Sequence, residues 1–580
     1  MRSGFRWQLL ALIISIILFG VVLGFRFLDT PQEDLSTTQS PTIAPTITQV
    51  APTFTPEPTQ VALAEDISVA DDSVIFTEGI VGSIQRLNPL LITNQAERDI
   101  TSLIYEGLAD INEFGEPAPD LAESWVVSRD GYEYVVQLRQ DILWQDGMAF
   151  TADDVVFTYN LLASPDLPFA EISSFWQTVE IEKLNDYLIR FRLAQPLASF
   201  PTLLTIGILP EHALTGTTAS QLLNHPFNLN PVGTGAYQLE GLRSSNGQQI
   251  EFVDLQVAPN YRLRPEGQEG YALSHLRFRL FSSFDSAITA FISGDIHSLA
   301  SRSMDERFDL LTLASAESFA QTEPTVGMLI FNWNEGEETR FFTDLRVRNA
   351  LQVSLNRSNP VASILNNRAV IADSPLHPDS WAYNNTYSYP NTDPNRAFSL
   401  FENATITVPE DTDLGDFLYR FSILTPDNPD LVAIAQNIAS QWGQYNLDVT
   451  VEAVSSEVYQ ERLVSGEFDT AIVEYVLGAD PDVFAYWHAD QYPSGLNYGA
   501  VSDSRVSEIL ERGRQTVSNL SRIEIYRDFQ AQFINQVIAL PLYYPLYTYS
   551  VDKDVVGVQL GFISSPEDRF RNLQDWSFSN

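Results

Sequence analysis

The side chains in this chain that could do chemistry are numerous but poorly arranged for catalysis. Its six histidines, His212, His225, His275, His297, His377 and His488, are scattered, with no H-E-x-x-H or paired spacing that would hold zinc. Ser550-Val551-Asp552-Lys553 fits S-x-x-K, but it stands in a strand-like run without the companion motifs that a serine–lysine nucleophile requires. There is no G-x-S-x-G elbow and no P-loop, and the G-T-G at Gly233 to Gly235 suits a sharp turn into a strand better than a phosphate cradle. Cysteine is absent, which removes thiolate catalysis, thiolate metal sites and disulfides together. Glu410, Asp411, Asp413 and Asp416 miss the EF-hand spacing and read as solvated surface. With 75 acidic residues, some carboxylate pair must lie near any cleft, so acidity alone does not argue for a glycosidase. What remains is the loop Gly478-Ala479-Asp480-Pro481-Asp482, with Trp487, Asn497 and Tyr498 downstream. Such aromatic and polar groups suit holding a small solute rather than transforming it. The plainer alternative is that Asp480 and Asp482 cap a helix and Trp487 packs in a core.

The elements around that loop follow from periodicity. Residues 421–424 read as a strand, and 431–442 as a helix with Ile434, Ile438 and Trp442 at i, i+4 and i+8. Leu447, Val449, Val451 and Ala453 alternate as a strand, 459–463 is helical, and 469–476 is a strand again. This β-α-β-α-β order predicts a mostly parallel, doubly wound sheet, in which ligands bind beyond the carboxyl ends of the strands. Earlier in the chain, Arg129-Asp130-Gly131 separates two period-two runs and predicts a hairpin. Thr151 with Asp154 three residues on predicts a capping box opening an amphipathic helix.

At 580 residues the chain should divide into two or three domains. Its net charge of −42 argues against nucleic acid as a partner, whose phosphates would be repelled. Residues 7–25 carry no charge and are dominated by Leu, Ile, Val and Phe, long enough for a span that needs roughly 20 apolar residues. Arg2 and Arg6 precede this run, while Asp29, Glu33 and Asp34 follow, so the amino terminus is expected in the cytoplasm and the rest outside. We expect an uncleaved anchor over 1–28; a cleaved signal is the alternative. Residues 29–65 are rich in Thr and Pro without Lys, Arg or Gly and predict a disordered, semi-stiff linker.

Between residues 87 and 159 a series of short motifs occurs in fixed order. They are L-N-P-L at 87–90, N-Q-A-E-R-D at 94–99, I-Y-E-G-L at 104–108, P-D-L-A-E-S-W at 119–125, L-R-Q-D-I-L-W-Q-D-G at 138–147 and T-A-D-D-V-V-F-T-Y at 151–159. N-P-V-G-T-G-A-Y at 230–237 and F-N-W-N at 331–334 continue the series. This order resembles the family 5 extracellular solute-binding proteins of peptide and nickel ABC importers. The resemblance implies an α/β, periplasmic-binding-protein-like (type II, cluster C) two-lobed fold of three domains. The first would comprise 66–97, 231–325 and 535–580, the second 98–230 and the third 326–534. It implies no catalysis and no cofactor. Its implied partners are a small or peptide-like solute, an ABC permease and separate ATPase subunits; the protein itself is expected to be a monomer, tethered to the membrane through the apolar N-terminal run. The ligand-binding residues it implies are Asn94, Gln95, Trp333, Trp381, Tyr475, Asp480, Trp487, Asn497 and Tyr498. The chain departs from the pattern in one loop: where peptide-binding members hold the ligand amine with an aspartate, this sequence has Leu477. The arginine that dipeptide binders use for the ligand carboxylate also has no counterpart in 425–429. A ligand sensor of the same fold and, more remotely, an extracellular hydrolase are the rival readings.

Overall fold

The computed structural model describes residues 75–579 apart from 245–248, 265–270, 302, 335–339, 367, 409 and 411. The expected membrane anchor and most of the Thr/Pro-rich linker fall in 1–74, outside the described residues. Among the described residues, no helix is long and apolar enough to cross a membrane.

Apolar side chains collect in two large clusters, one from residues 76–278 and 547–576, the other from 326–544. These are the cores of two lobes, and the chain passes between them only twice. One crossing lies between strands Ala316–Thr322 and Thr325–Phe331; the other lies within the 14-residue strand Ala539–Asp552. The long strand pairs antiparallel with Thr325–Phe331 through its first half (Ile330 opposite Ala539) and with Ala316–Thr322 through its second (Thr322 opposite Leu546). Almost every residue of it is buried, because both faces are covered within a twelve-stranded sheet that runs through both lobes. At the crossing, the Glu323 N–H donates to the Pro545 carbonyl at 2.9 Å. Two neighbouring strands with few other links make a hinge.

In the second lobe, the expected alternation of strand and helix is present: Tyr419–Pro426, Pro429–Gly443, Leu447–Val454, Ser456–Ser465 and Thr470–Val476. Ile434, Ile438 and Trp442 are all buried. The sheet is less parallel than the sequence predicts. Tyr419–Pro426 runs parallel to both Leu447–Val454 and Thr470–Val476, but Thr325–Phe331 and Ala539–Asp552 run antiparallel beside them. Helical crossovers impose parallel pairing on three strands; of the other two, Thr325–Phe331 enters from the first lobe and Ala539–Asp552 leaves toward it, so they run antiparallel to each other.

In the first lobe the predicted hairpin pairs Trp125 with Val136 in a separate four-stranded antiparallel sheet. Gly131 takes φ +74 at its turn, and Asp130 accepts from Ser128 Oγ at 2.6 Å. The capping box at Thr151 and Asp154 is formed. Asp154 also accepts from the Glu211 N–H at 2.9 Å, tying a later loop to this helix.

The lobes touch across their seam. The Ala198 N–H donates to the Arg514 carbonyl at 2.8 Å, and the rings of His377 and Phe562 lie 4.8 Å apart. Ile111 and Phe562 of the first lobe enclose Ala479 of the second.

Candidate functional site

One opening at the seam is organised by the helix Gln95–Ile104. Asn94 caps it by accepting from the Glu97 N–H at 3.1 Å. Glu97 in turn gathers the N–H groups of Gln85, Arg86 and Thr93, fixing the incoming loop. At the other end the Ile104 carbonyl accepts from Gly235 at 2.8 Å. Gly235 was expected to serve a turn; its requirement is close approach, since a Cβ there would lie 2.5 Å from the Leu103 carbonyl oxygen.

Beneath this helix lies a cavity of about 520 Å³, walled by the first lobe and closed by Val476 of the second. Two features mark its chemistry. The first is aromatic: Tyr237, Tyr261 and Tyr271 line it, with Tyr271 edge-on to both of the others at 5.7 Å. Tyr271 itself holds φ +55, a left-handed conformation unusual for a side chain of its size.

The second feature is acidic. Glu106, Asp110, Asp120, Glu567 and Asp568 all reach the wall. Three of these have partners. Glu106 takes both terminal nitrogens of Arg264 at 2.9 and 3.0 Å, and Arg264 lies 4.4 Å over the Tyr261 ring. Glu567 accepts from Gln95 at 2.9 Å. Asp568 pairs with Arg571 at 2.9 Å and accepts from Ser564 Oγ at 2.7 Å; burial still pushes its carboxyl up to about 6. Asp110 and Asp120 have no ion-pair partner among the described residues, and the Asp120 carboxylate accepts no hydrogen bond there either. Desolvation by the surrounding wall pushes both carboxyls up, although Asp110 is exposed and Asp120 only half-buried. For Asp120 the neighbouring Glu106 and Asp110 push further, with Arg264 and Arg139 pulling the other way.

None of the nine residues proposed from sequence lines this cavity. Asn94 is spent as a helix cap. Gln95 bridges Asp99 at 2.5 Å and Glu567. Trp333 lies under the Arg348 guanidinium at 4.0 Å. Tyr475 and Trp487 pack against each other at 5.3 Å, and Trp487 is 2% exposed. Asp480 is held by both terminal nitrogens of buried Arg522 at 2.5 and 2.7 Å. Asn497 organises a turn, donating to the His488 and Val501 carbonyls and accepting from the Val501 N–H. Tyr498 is buried nearby. Trp381 alone faces a sizeable open volume, a groove of about 480 Å³ shared with Phe114 and Phe562 of the first lobe. Asp480 borders a slot of only about 10 Å³. Leu477 is buried, and its N–H is taken by the Pro324 carbonyl at 2.7 Å.

The cavity residues lay inside motifs used only as landmarks, Glu106 in I-Y-E-G-L and Asp120 in P-D-L-A-E-S-W. A short hairpin brings them together, Ala109 opposite Pro119, with the Asp120 N–H donating to the Leu108 carbonyl at 3.1 Å. Nothing in their spacing announces that convergence. No cluster of three side chains among the described residues could hold a metal ion.

Two lobes on a two-strand hinge, with a cavity at their seam, define a binding-protein fold. Residues 116–495 match the family model of the bacterial extracellular solute-binding proteins, family 5 middle, and the chain belongs to that family. It is 24% identical over 516 residues to the oligopeptide-binding protein AppA of Bacillus subtilis, covering 86% of this chain and 90% of the relative. The solved structure of HbpA2 from Haemophilus parasuis superposes with a TM-score of 0.74 at 17% identity, over 87% of this chain and all of the other. NikZ from Campylobacter jejuni, solved with Ni(L-His), matches with a TM-score of 0.62 at 24% identity, over 87% and 99%. The chain is a solute-binding protein.

Proposed function

We propose that this protein captures a small, peptide-like or comparably sized solute outside the cell and hands it to an ABC permease driven by separate ATPase subunits. It performs no chemistry itself. A single-pass helix over residues 1–28 tethers it as a monomer, and 29–65 act as its stalk. The observation that carries this reading is the cavity of about 520 Å³ at a seam whose lobes are joined by two crossings alone. Opening about the hinge admits the solute and closure buries it. Relatives whose names specify oligopeptides, and one solved with a nickel–histidine complex, support a solute of this size without fixing its kind. In this reading Trp381 contributes an aromatic face at the mouth. Asp480, Trp487, Asn497, Tyr498, Tyr475 and Trp333 act on the ligand through the shape of the second lobe, and Asn94 and Gln95 through the helix they begin.

Since the chain has no cysteine, two can be introduced and labelled selectively. Val126 in the first lobe and Leu520 in the second are 70% and 79% exposed. Energy transfer between labels there, in the full chain in detergent, should rise when a library of short peptides is added. Unchanged transfer with every peptide, together with no retained small molecule in native mass spectrometry, would sink the proposal.

A further inference from the structure

A buried cation beside the hinge has no partner among the described residues. Arg307 belongs to the helix Met304–Leu311, which lies over the first-lobe half of the long strand. The Leu310 carbonyl accepts from Ser318 Oγ at 3.4 Å, and Ser318 shares a hydrogen bond of 2.8 Å with Ser550. One turn before Leu310, Arg307 is only 4% exposed, and its Nε and Nη1 find no acceptor. Thr548, on the same face of its strand as Ser550, is fully buried, and its Oγ1 is equally unpartnered. An isolated buried guanidinium is costly, so its presence in a native fold calls for a cause. Desolvation pulls its pKa down to about 10, and among the described residues the one acid that acts against this is Glu323. Glu306 and Asp309 stand on the same helix without acting on it. Glu323 is the residue at the lobe crossing, where its N–H is tied to the Pro545 carbonyl. Its charge is felt by Arg307, yet the two form no ion pair, and Glu323 keeps contacts of its own.

We propose that Arg307 and Glu323 form a hinge switch, apart while the lobes touch and paired when they separate. The lobes meet in the present structure, through Ala198 and Arg514 and through His377 and Phe562. This is the closed form, and it leaves Arg307 without a partner. Glu323 lies between the strands Ala316–Thr322 and Thr325–Phe331, so its backbone torsions are among those that turn as the lobes part. Arg307 stays with the first lobe, held by its helix. Rotation therefore moves the carboxylate relative to the guanidinium and can bring the two into contact. Pairing satisfies the buried cation in the open form alone. The empty protein is thereby biased toward opening, and solute binding must supply what closure costs. This inference rests on the solute-capture reading and adds to it what sets the resting state of the empty protein.

The test uses the full chain in detergent with the energy-transfer labels at Val126 and Leu520, first without ligand and then with the library of short peptides. Arg307→Met and Glu323→Gln should each raise the ligand-free transfer toward the closed value, shifting the open–closed ratio by about tenfold. The double variant should shift it no further than either single one, because both act through one pair. Arg307→Lys keeps the charge and should stay nearer the parent than Arg307→Met. Single variants that leave the ratio unchanged, or whose effects add in the double variant, overturn the inference. So does a melting temperature that rises in chloride over gluconate at equal ionic strength in the parent but not in Arg307→Met, since a small anion then satisfies Arg307 in the closed form. The two readings fail separately. Peptides that close the parent while neither variant changes the empty protein leave capture standing and remove the switch. Variants that close the empty protein while no peptide closes the parent keep the switch and sink capture.

Discussion

Each lobe brings a pair of aspartates to the seam, and the two pairs are treated in opposite ways: the side chains of Asp480 and Asp482 are buried, whereas Asp110 is exposed and Asp120 half-buried. In the second lobe, Asp480 and Asp482 each own a buried guanidinium: Arg522 at 2.5 Å and Arg514 at 2.7 Å. In the first lobe, Asp110 and Asp120 own none among the described residues. A buried carboxylate with a built-in counter-ion is part of the scaffold, and removing either partner strands the other. A carboxylate that keeps its contact with solvent needs no built-in counter-ion, so Asp110 and Asp120 contribute little to the fold. From sequence, the scaffold pair looks the more functional, because its loop follows a strand's carboxyl end and sits among aromatics. Partners decide the matter, and these are remote in the chain.

The largest effect expected from this contrast is on stability. Asp480→Ala leaves Arg522 buried and uncompensated, so unfolding free energy should fall by about 3–5 kcal/mol. Denaturant titration of the full chain checks this; a loss below about 1 kcal/mol would erase the distinction between the pairs. A double variant, Asp480→Ala with Arg522→Met, sharpens the test. It should recover much of the loss, because no lone charge remains.

Next in size is the contrast between two tryptophans. Trp487 is enclosed by Tyr475 and by Phe533 at 4.9 Å, and Trp487→Ala should cost about 3–5 kcal/mol through the cavity it leaves. Trp381 is only partly buried; beyond its groove it meets the Arg522 guanidinium at 5.2 Å and the Tyr526 ring edge-on. Trp381→Ala should cost about 1 kcal/mol of stability while weakening solute binding. Calorimetry run beside thermal melts separates the two. Equal melting losses would mean that both rings are core.

Those tryptophans also show what the sequence made legible. Local signals were reliable where the physics is local: the turn at Asp130 and Gly131, the capping box at Thr151, and the Ile434, Ile438 and Trp442 stripe all formed as periodicity and capping predict. The two-lobed fold was readable from motif order. Strand direction was only partly readable, because Thr325–Phe331 enters the second lobe from the first and Ala539–Asp552 returns to it, a route that no local periodicity records. The site was least legible. Arg522 lies 42 residues from Asp480, and Arg264 lies 158 from Glu106, so no window contains both members of either pair. Charge compensation is a tertiary property; a loop of acids reads the same with its arginines or without them.

The smallest expected effect concerns His377, where the lobes meet. Its Nδ1 accepts from the Asp379 N–H at 3.1 Å, its Nε2 faces the Thr322 carbonyl at the hinge, and its ring lies against Phe562 of the other lobe. Burial holds its pKa below the ordinary 6.5, with exposed Asp379 pulling weakly the other way. The folded state therefore refuses a proton that the unfolded chain accepts. The resulting stability is complete above pH 6.5 and is lost as pH falls from 6.5 through the folded value. Protonation would also put a hydrogen on Nδ1 and end its role as acceptor for Asp379. His297 and His488, also held below 6.5, act in the same direction, while Asp110, Asp120 and Asp568 act in the opposite one. The parent profile alone thus cannot isolate one group, but its difference from His377→Gln can, because the other groups are common to both. Between pH 7 and pH 5 the parent should lose slightly more stability and lobe contact than His377→Gln, read by paired melts and by the energy-transfer labels. Parallel profiles would remove His377 from the seam's pH response and leave the carboxylates of the first lobe as its main source.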